Sequence, residues 1–114
     1  MENCLFCKII NREIKGDIVF ESDGVLIFKD INPKAPVHLL AIPKQHVSSI
    51  IEIEKLGPDK IIELFKAISK VSKDMGLEKD GFRIVTNTGI AAGQSIEHLH
   101  FHILGKRIFN WPPG

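Results

Sequence analysis

The spacing of apolar residues predicts one long amphipathic helix in the second half of the chain, from Pro58 to Met75. Its apolar positions recur three and four residues apart, which places them on one helical face: Ile61, Leu64, Phe65, Ile68, Val71 and Met75. Lysines occupy much of the opposite face. Pro58 is typical of a helix start, and Gly76 is typical of a helix end. We interpret this segment as a surface helix that covers a sheet.

Shorter apolar segments predict one further helix and five strands. The short helix is expected over residues 3–12. The strands are expected over residues 17–22, 25–30, 37–44, 82–87 and 98–105. A turn at Asp23-Gly24 joins the first two strands as a hairpin. Three strands, a long helix and two more strands predict an α+β fold with a five-stranded antiparallel meander, in a single domain over residues 1–114.

The last predicted strand contains three of the five histidines of the chain, at every second position of the sequence HLHFHILG. A strand turns alternate side chains to opposite faces, so His98, His100 and His102 would share one face. A lone histidine on a strand is most often structural, but three at period two indicate a site. The three side chains are spaced ~6.6 Å apart, so they converge on one metal ion only with difficulty.

A second interpretation gives the three histidines different roles, and the sequence favours it. One neutral imidazole would attack phosphorus, while its other nitrogen is held as N–H by an acceptor such as a backbone carbonyl. The loop that precedes the strand contains Gly89 and Gly93, whose backbone amides can approach a phosphate closely. Ser95 adds a hydroxyl, and Asn87 can donate from the neighbouring strand. Hairpin geometry alone explains the two glycines equally well.

Composition and charge narrow the classes of partner. Fifteen basic residues against fourteen acidic ones give a net charge of +1, which predicts neither a nucleic-acid partner nor a membrane-surface partner. The apolar runs are too short to span a bilayer. The N-terminal sequence MENCLFCK lacks the pattern of a signal peptide, so we expect a cytoplasmic protein. In that compartment Cys4 and Cys7 would be thiols or metal ligands and not a structural disulfide.

The cysteine spacing by itself leaves three interpretations open. Cys4 and Cys7 lie three residues apart in the predicted short helix, and so share one face. They would be a redox pair, two small core residues or two metal ligands. No βαβ pattern typical of thioredoxin-like redox proteins follows them.

Several separated motifs together resemble the histidine-triad superfamily. The segment H98-L-H-F-H-I-L104 matches its motif of three histidines alternating with apolar residues. The sequences GQSIE, FKDINPKAP and IPKQH and the C-terminal WPPG resemble its Hint branch, the purine nucleoside phosphoramidases. The resemblance covers essentially the whole chain and implies a HIT-like fold, a homodimer with joined sheets and a covalent nucleotidyl-enzyme mechanism.

The same resemblance implies roles at the phosphate end of a nucleotide such as AMP or GMP. His100, the middle histidine, corresponds to the nucleophile. His102 and Ser95 would hold the α-phosphate oxygens. Further donors implied by the resemblance are Asn87 and the backbone around Gly93, Gln94 and Ser95.

The resemblance also implies the surroundings of the nucleoside. Asp30 would accept hydrogen bonds from the ribose hydroxyls. The purine slot would be formed by four apolar residues, for which core packing is the simpler interpretation: Phe6, Ile9, Phe28 and Ile31. Trp111 would reach the partner subunit's site from the tail, or anchor the dimer, or both.

A structural zinc ion is the third implication. Some members of the superfamily hold zinc with a CxxC pair, a histidine after the IPK segment and the first histidine of the triad. Cys4, Cys7, His46 and His98 occupy those places. Two cysteines and two histidines suit a closed tetrahedral zinc site. The fifth histidine, His38, is expected to be a hydrogen-bonded structural residue without a catalytic role.

Together these features predict hydrolysis of the phosphorus–nitrogen bond in a purine nucleoside 5′-phosphoramidate. One alternative is a dinucleoside polyphosphate hydrolase of the Fhit branch, against which the WPPG tail argues. The other is a nucleotide-binding or scaffold protein without catalysis, which would bind AMP without releasing it from a phosphoramidate.

Overall fold

The computed structural model describes residues 3–114. Its elements, in chain order, are α1 (Leu5–Ile10), β1 (Ile18–Glu21), β2 (Val25–Lys29), β3 (Val37–Pro43), α2 (Pro58–Asp74), β4 (Phe82–Val85) and β5 (Phe101–Gly105). Two 3₁₀ helices, Ile50–Leu56 and Ile90–Ala92, lie in the connections before α2 and before β5. No helix among residues 3–114 is both long enough and apolar enough to cross a membrane.

The five strands form one antiparallel sheet in the order β1-β2-β3-β5-β4. The prediction of five antiparallel strands is confirmed, but the simple meander is wrong for the last two strands. The first three strands follow one another as a meander. The connection through α2 then takes the chain past the next position in the sheet, so that β4 forms the edge and β5 returns between β3 and β4.

Both faces of the sheet are covered. On one face, Val25, Ile27, Leu39 and Ala41 pack in a core with α2. Their neighbours along the same strands form a second core on the opposite face, beneath α1: Leu26, Phe28, Leu40 and Ile42. β2 is therefore buried over four successive residues, as expected for a strand that is covered on both sides.

Every helix and strand is shorter than the sequence predicted, and the differences at α1 and β5 shape the site. α1 begins at Leu5 because Cys4 is its N-cap, whose sulfur accepts from the Cys7 amide at 3.3 Å. β5 begins at Phe101, so His98 and His100 precede the strand. The amide of Leu99 donates to the carbonyl of Val47 at 2.8 Å, outside the strand ladder.

Candidate functional site

A cavity of about 280 Å³ opens on the α1 face of the sheet. It brings together residues from α1, from the end of β2, from the loop before β5 and from the histidine segment. The predicted site residues in its lining are Phe6, Ile9, Phe28, Asp30, Ile31, Ser95, His100 and His102. Leu5, Leu40 and Ile96 also line it, although the sequence did not single them out.

The three histidines share one side of the chain, as the period-two pattern predicted. The centroid of the Phe6 ring lies 5.9 Å from that of His98 and 5.1 Å from that of His100. The rings of His100 and His102 are 5.1 Å apart. The intervening Leu99 and Phe101 are buried in the core against α2.

His100 is buried and held by its own backbone neighbour. Its Nδ1 lies 2.7 Å from the carbonyl oxygen of His98. A carbonyl can only accept, so Nδ1 carries a proton, and in the neutral ring Nε2 keeps its lone pair. The backbone of His100 is fixed as well, because its own carbonyl accepts from the Thr86 hydroxyl at 2.8 Å. The ring in the cavity wall is thus fixed in the tautomer that a nucleophilic Nε2 requires.

The tautomer of His102 is set by a chain of hydrogen bonds through His38. The amide of Lys34 donates to His38 Nδ1 at 3.0 Å, so the neutral His38 ring carries its proton on Nε2. His38 Nε2 lies 2.9 Å from His102 Nδ1 and 3.4 Å from an Asp30 carboxylate oxygen. His102 therefore accepts at Nδ1 and carries its own proton on Nε2, from which it can donate to an anion.

Burial keeps these rings neutral. It lowers the pKa of His102 to about 4, and the neighbouring His100 and His38 rings add to the shift. Burial also lowers the pKa of His38, although the Asp30 carboxylate opposes the change. At neutral pH the two rings act as directed hydrogen-bonding groups, not as positive charges.

One wall of the cavity is apolar, and it adjoins the histidines through Phe6. The rings of Phe6 and Phe28 meet edge to face with centroids 5.4 Å apart, and both are buried. Ile9 completes this wall, whereas Ile31 is 91% exposed at its rim. Asp30 stands between the two ends, and one of its carboxylate oxygens accepts from the amide of Asn32 at 2.8 Å. A flat apolar ring with a polar group at one end fits this shape.

The glycine-containing loop is held in place by hydrogen bonds of the Gln94 side chain. Gly93 adopts the left-handed conformation, with φ 83° and ψ 24°, which favours glycine. The Gln94 amide group donates to the carbonyls of Ser48 and Ile96, and its oxygen accepts from the Gly89 amide. Ser95 lines the cavity, whereas Asn87, Gly93 and Gln94 are not in its lining within residues 3–114. Their phosphate-binding roles stay predictions.

Cys4, Cys7, His46 and His98 form a second group, which we call the metal cluster. One ligand atom from each residue lies within 4.8 Å of all the others. His98 Nδ1 is 3.3 Å from the sulfur of Cys4, 3.6 Å from that of Cys7 and 3.2 Å from His46 Nδ1. The cluster joins α1 to the segment after β3 and to the segment before β5.

The donor set of the metal cluster fits a zinc ion. His98 Nε2 lies 2.8 Å from the Pro43 carbonyl, so it carries the proton and Nδ1 presents a lone pair to the cluster. Burial lowers the pKa of His98 to about 4 and raises that of Cys7 to about 11. A neutral imidazole is the form that binds metal, and a bound cation stabilises the thiolate that burial alone disfavours. Two sulfurs and two nitrogens form a complete tetrahedral set.

Trp111, the predicted site residue of the tail, does not contribute to the cavity of its own chain. Its side chain is 82% exposed. A contribution to a site would therefore have to be made in another subunit.

The comparisons with known proteins agree with this geometry. The family model for the HIT domain matches residues 11–109. The chain belongs to the HIT family. A HIT family hydrolase from Clostridium thermocellum is 46% identical, covers 96% of each chain and superposes with a TM-score of 0.91. This similarity also confirms the predicted HIT-like fold.

Two other relatives carry informative names. A 14 kDa zinc-binding protein of Zea mays is 43% identical over 112 residues, which are 96% of this chain and 87% of the relative. A histidine triad nucleotide-binding protein from Candida albicans is 30% identical, with a TM-score of 0.82 over 98% of this chain and 85% of that one.

His38 is the residue of the site whose importance the sequence did not reveal. It was expected to be a hydrogen-bonded structural residue, and it is buried and hydrogen-bonded. Its partner, however, is His102, which lies 64 positions away in the sequence. The alternation of His38 with Leu40 and Ile42 on β3 was the available signal, because it places all three on the histidine face.

Proposed function

We propose that this HIT-family protein is a hydrolase that binds purine nucleotides and cleaves the phosphorus–nitrogen bond of nucleoside 5′-phosphoramidates. The observation that carries the proposal is the 2.7 Å hydrogen bond from His100 Nδ1 to the His98 carbonyl, in the wall of a nucleotide-sized cavity. It leaves a neutral Nε2 available to attack phosphorus. The names of the related hydrolase and of the related nucleotide-binding protein support the same class of activity.

The proposed reaction has two displacements at the α-phosphorus. His100 Nε2 forms a bond to phosphorus as the bond from phosphorus to the amine breaks, and the amine nitrogen takes a proton from solvent as it departs. Water then attacks the nucleotidyl-imidazole, the nucleotide leaves, and Nε2 recovers its lone pair. His102 donates its Nε2 proton as a hydrogen bond to a phosphate oxygen, and the Ser95 hydroxyl donates to another. Hydrogen bonds placed where charge develops are a large source of catalysis.

The nucleoside would lie along the rest of the cavity. The purine would pack against the apolar wall formed by Phe6, Phe28 and Ile9, with Ile31 at the rim, and the ribose hydroxyls would donate to Asp30. The contact between the buried rings of Phe6 and Phe28 supports a preformed wall. AMP and GMP share the ribose and phosphate contacts, so both are suitable ligands.

The metal cluster would hold a structural zinc ion. The name of the zinc-binding relative from Zea mays and the convergence of four suitable ligand atoms support this assignment. When bound, zinc would join α1 to two distant segments and would have no open position for a substrate. A metal held by two thiols also agrees with the proposed cytoplasmic location.

We further propose a homodimer formed through the edge strand β4. Phe82 and Ile84 on β4 and Phe65 on α2 line one surface groove, and all three are exposed. Exposed apolar side chains beside an unpaired strand edge are typical of a self-association surface. Trp111 of the partner subunit would then be free to approach the cavity.

An assay of turnover tests the proposed function. The protein should release AMP and amine from an adenosine 5′-phosphoramidate, and His100→Ala should abolish release while still binding AMP. His102→Ala should slow the reaction less. Wild-type turnover in the His100→Ala variant, or AMP binding without any turnover in the wild type, would contradict the proposal.

A further inference from the structure

Helix α1 belongs to two sites at once. Its cysteines, Cys4 and Cys7, point their sulfurs at His98 and His46 in the metal cluster. The residues between and after them, Leu5, Phe6 and Ile9, line the nucleotide cavity. Only one helical turn separates the two functions, so a change in the position of α1 alters both.

α1 depends on contacts outside itself for its position. It has six residues, and helices of that length are not stable alone in water. Its N-cap is the sulfur of Cys4, which is also a member of the metal cluster. Its buried residues are Phe6 and Ile9, which are the same side chains that form the apolar wall of the cavity. The cluster and the wall are therefore the main contacts that hold this helix on the sheet.

The His102 side of the phosphate end is held by elements other than α1. His102 is fixed by His38, which belongs to β3 and lies beside Asp30. β3 and β5 are paired centrally in the sheet, through register positions that include Leu40 and His102. None of these contacts of His102 passes through α1, whereas the ring of His100 touches Phe6 and donates to the carbonyl of His98.

We propose that Cys4 and Cys7 are positioning residues for the purine, acting through Phe6 and Ile9 when the metal cluster is occupied. The inference rests on the proposed nucleotide site and extends it, since it makes metal occupancy a determinant of base affinity. It predicts two classes of ligand response. The affinity for a ligand with a purine ring is sensitive to the metal cluster, whereas the affinity for ribose 5-phosphate, which has no base, is much less so because Asp30 and His102 are fixed without α1.

The experiment compares dissociation constants for AMP and for ribose 5-phosphate by calorimetry, using zinc-loaded wild type, zinc-stripped wild type and Cys4→Ser/Cys7→Ser. We expect the affinity for AMP to fall at least about tenfold in the last two, a measurable change in binding free energy. The affinity for ribose 5-phosphate should change by less than about twofold. Amide hydrogen exchange should rise in α1 and not in β3 or β5.

Two matched variants separate the metal from the helix. Lys8→Ala changes the same helix outside both the metal cluster and the cavity lining, and should bind both ligands like the wild type. Phe6→Ala with zinc bound should reproduce the selective loss of AMP affinity. Returning zinc to the stripped wild type should restore it.

Each outcome decides the inference. Equal AMP affinity with and without zinc in folded protein overturns it and leaves the proposed function intact. Equal weakening of both ligands, or global unfolding of the stripped wild type by circular dichroism, also overturns it, because the metal would then support the whole fold. If zinc-loaded wild type binds neither ligand, the proposed function fails and the inference fails with it.

Discussion

The hydrogen bond between His38 and His102 offers a sharp test of how the phosphate end of the site is organised. In the structure His38 Nε2 donates to His102 Nδ1 across 2.9 Å, and the His38 side chain is buried. His38→Leu replaces the ring by an apolar side chain and leaves His102 Nδ1 without its donor. An unpaired buried polar atom costs about 1–3 kcal/mol.

That free energy sets the expected kinetic effect. The free variant can relieve this cost by moving the His102 ring or its proton. In the proposed mechanism it loses that freedom when His102 presents its Nε2 proton to the phosphate, so the cost raises the barrier relative to free enzyme and substrate. About 1–3 kcal/mol corresponds to a fall in kcat/KM of roughly 5- to 150-fold. His38→Gln, which keeps an N–H donor on a chain of similar reach, should recover most of the loss.

The assay combines kinetics with a direct view of the tautomer. Steady-state turnover of an adenosine 5′-phosphoramidate gives kcat and KM, and thermal melting verifies that each variant is folded. Nitrogen chemical shifts should place the His102 proton on Nε2 in the wild type and in His38→Gln. A folded His38→Leu variant with wild-type kcat/KM would refute the reasoning, as would a wild-type His102 ring protonated on Nδ1.

Three further predictions follow from the same structure. Asp30→Ala should remove most of the preference for AMP over its 2′,3′-dideoxy analogue, measured as a ratio of inhibition constants; an unchanged ratio would remove Asp30 from the ribose site. Purified protein should contain about one zinc per chain, the count that one four-ligand set allows, and chelation should lower the melting temperature before it lowers kcat. If the purified protein contains no metal and the cysteine variants melt like the wild type, the cysteines are ordinary core residues. In the metal-free protein the unfolding free energy should decrease as pH falls from 6.5 towards about 4. Burial lowers the pKa of His98 and His102 in the folded state, so the unfolded chain takes up protons at these two residues first. An unfolding free energy that does not change over this pH range would contradict the buried neutral rings.

The sequence predicts which side chains of the histidine segment share a face better than it predicts where β5 begins. The alternation of histidines with Leu99 and Phe101 depends only on extended backbone, so it holds even where the chain has not yet joined the ladder. The start of β5 depends on which backbone groups pair, and the Leu99 amide pairs with Val47 instead. Such a choice is made by the tertiary structure and leaves no local signal.

The order of strands in the sheet and the long-range hydrogen bonds could not be predicted from sequence patterns, for a related reason. Apolar periodicity identified β3, β4 and β5 but carries no information on which strands are neighbours. α2 is long enough to take the chain to either position, and only packing selects the edge for β4. The sequence does not indicate the hydrogen bond from His38 to His102, because the two residues become neighbours only through the β3–β5 pairing.

The central claim is that His100 carries the nucleotide during turnover, and a rapid-quench experiment tests it most directly. Enzyme and an adenosine 5′-phosphoramidate are mixed for one turnover and quenched in alkali, in which a phosphorus–nitrogen bond to imidazole survives. Peptide mass spectrometry should find one adenylyl group on His100, formed and lost at rates compatible with kcat, and no adduct in His100→Ala. Full turnover with no adduct at any time, or an adduct on another residue, would contradict the proposed mechanism.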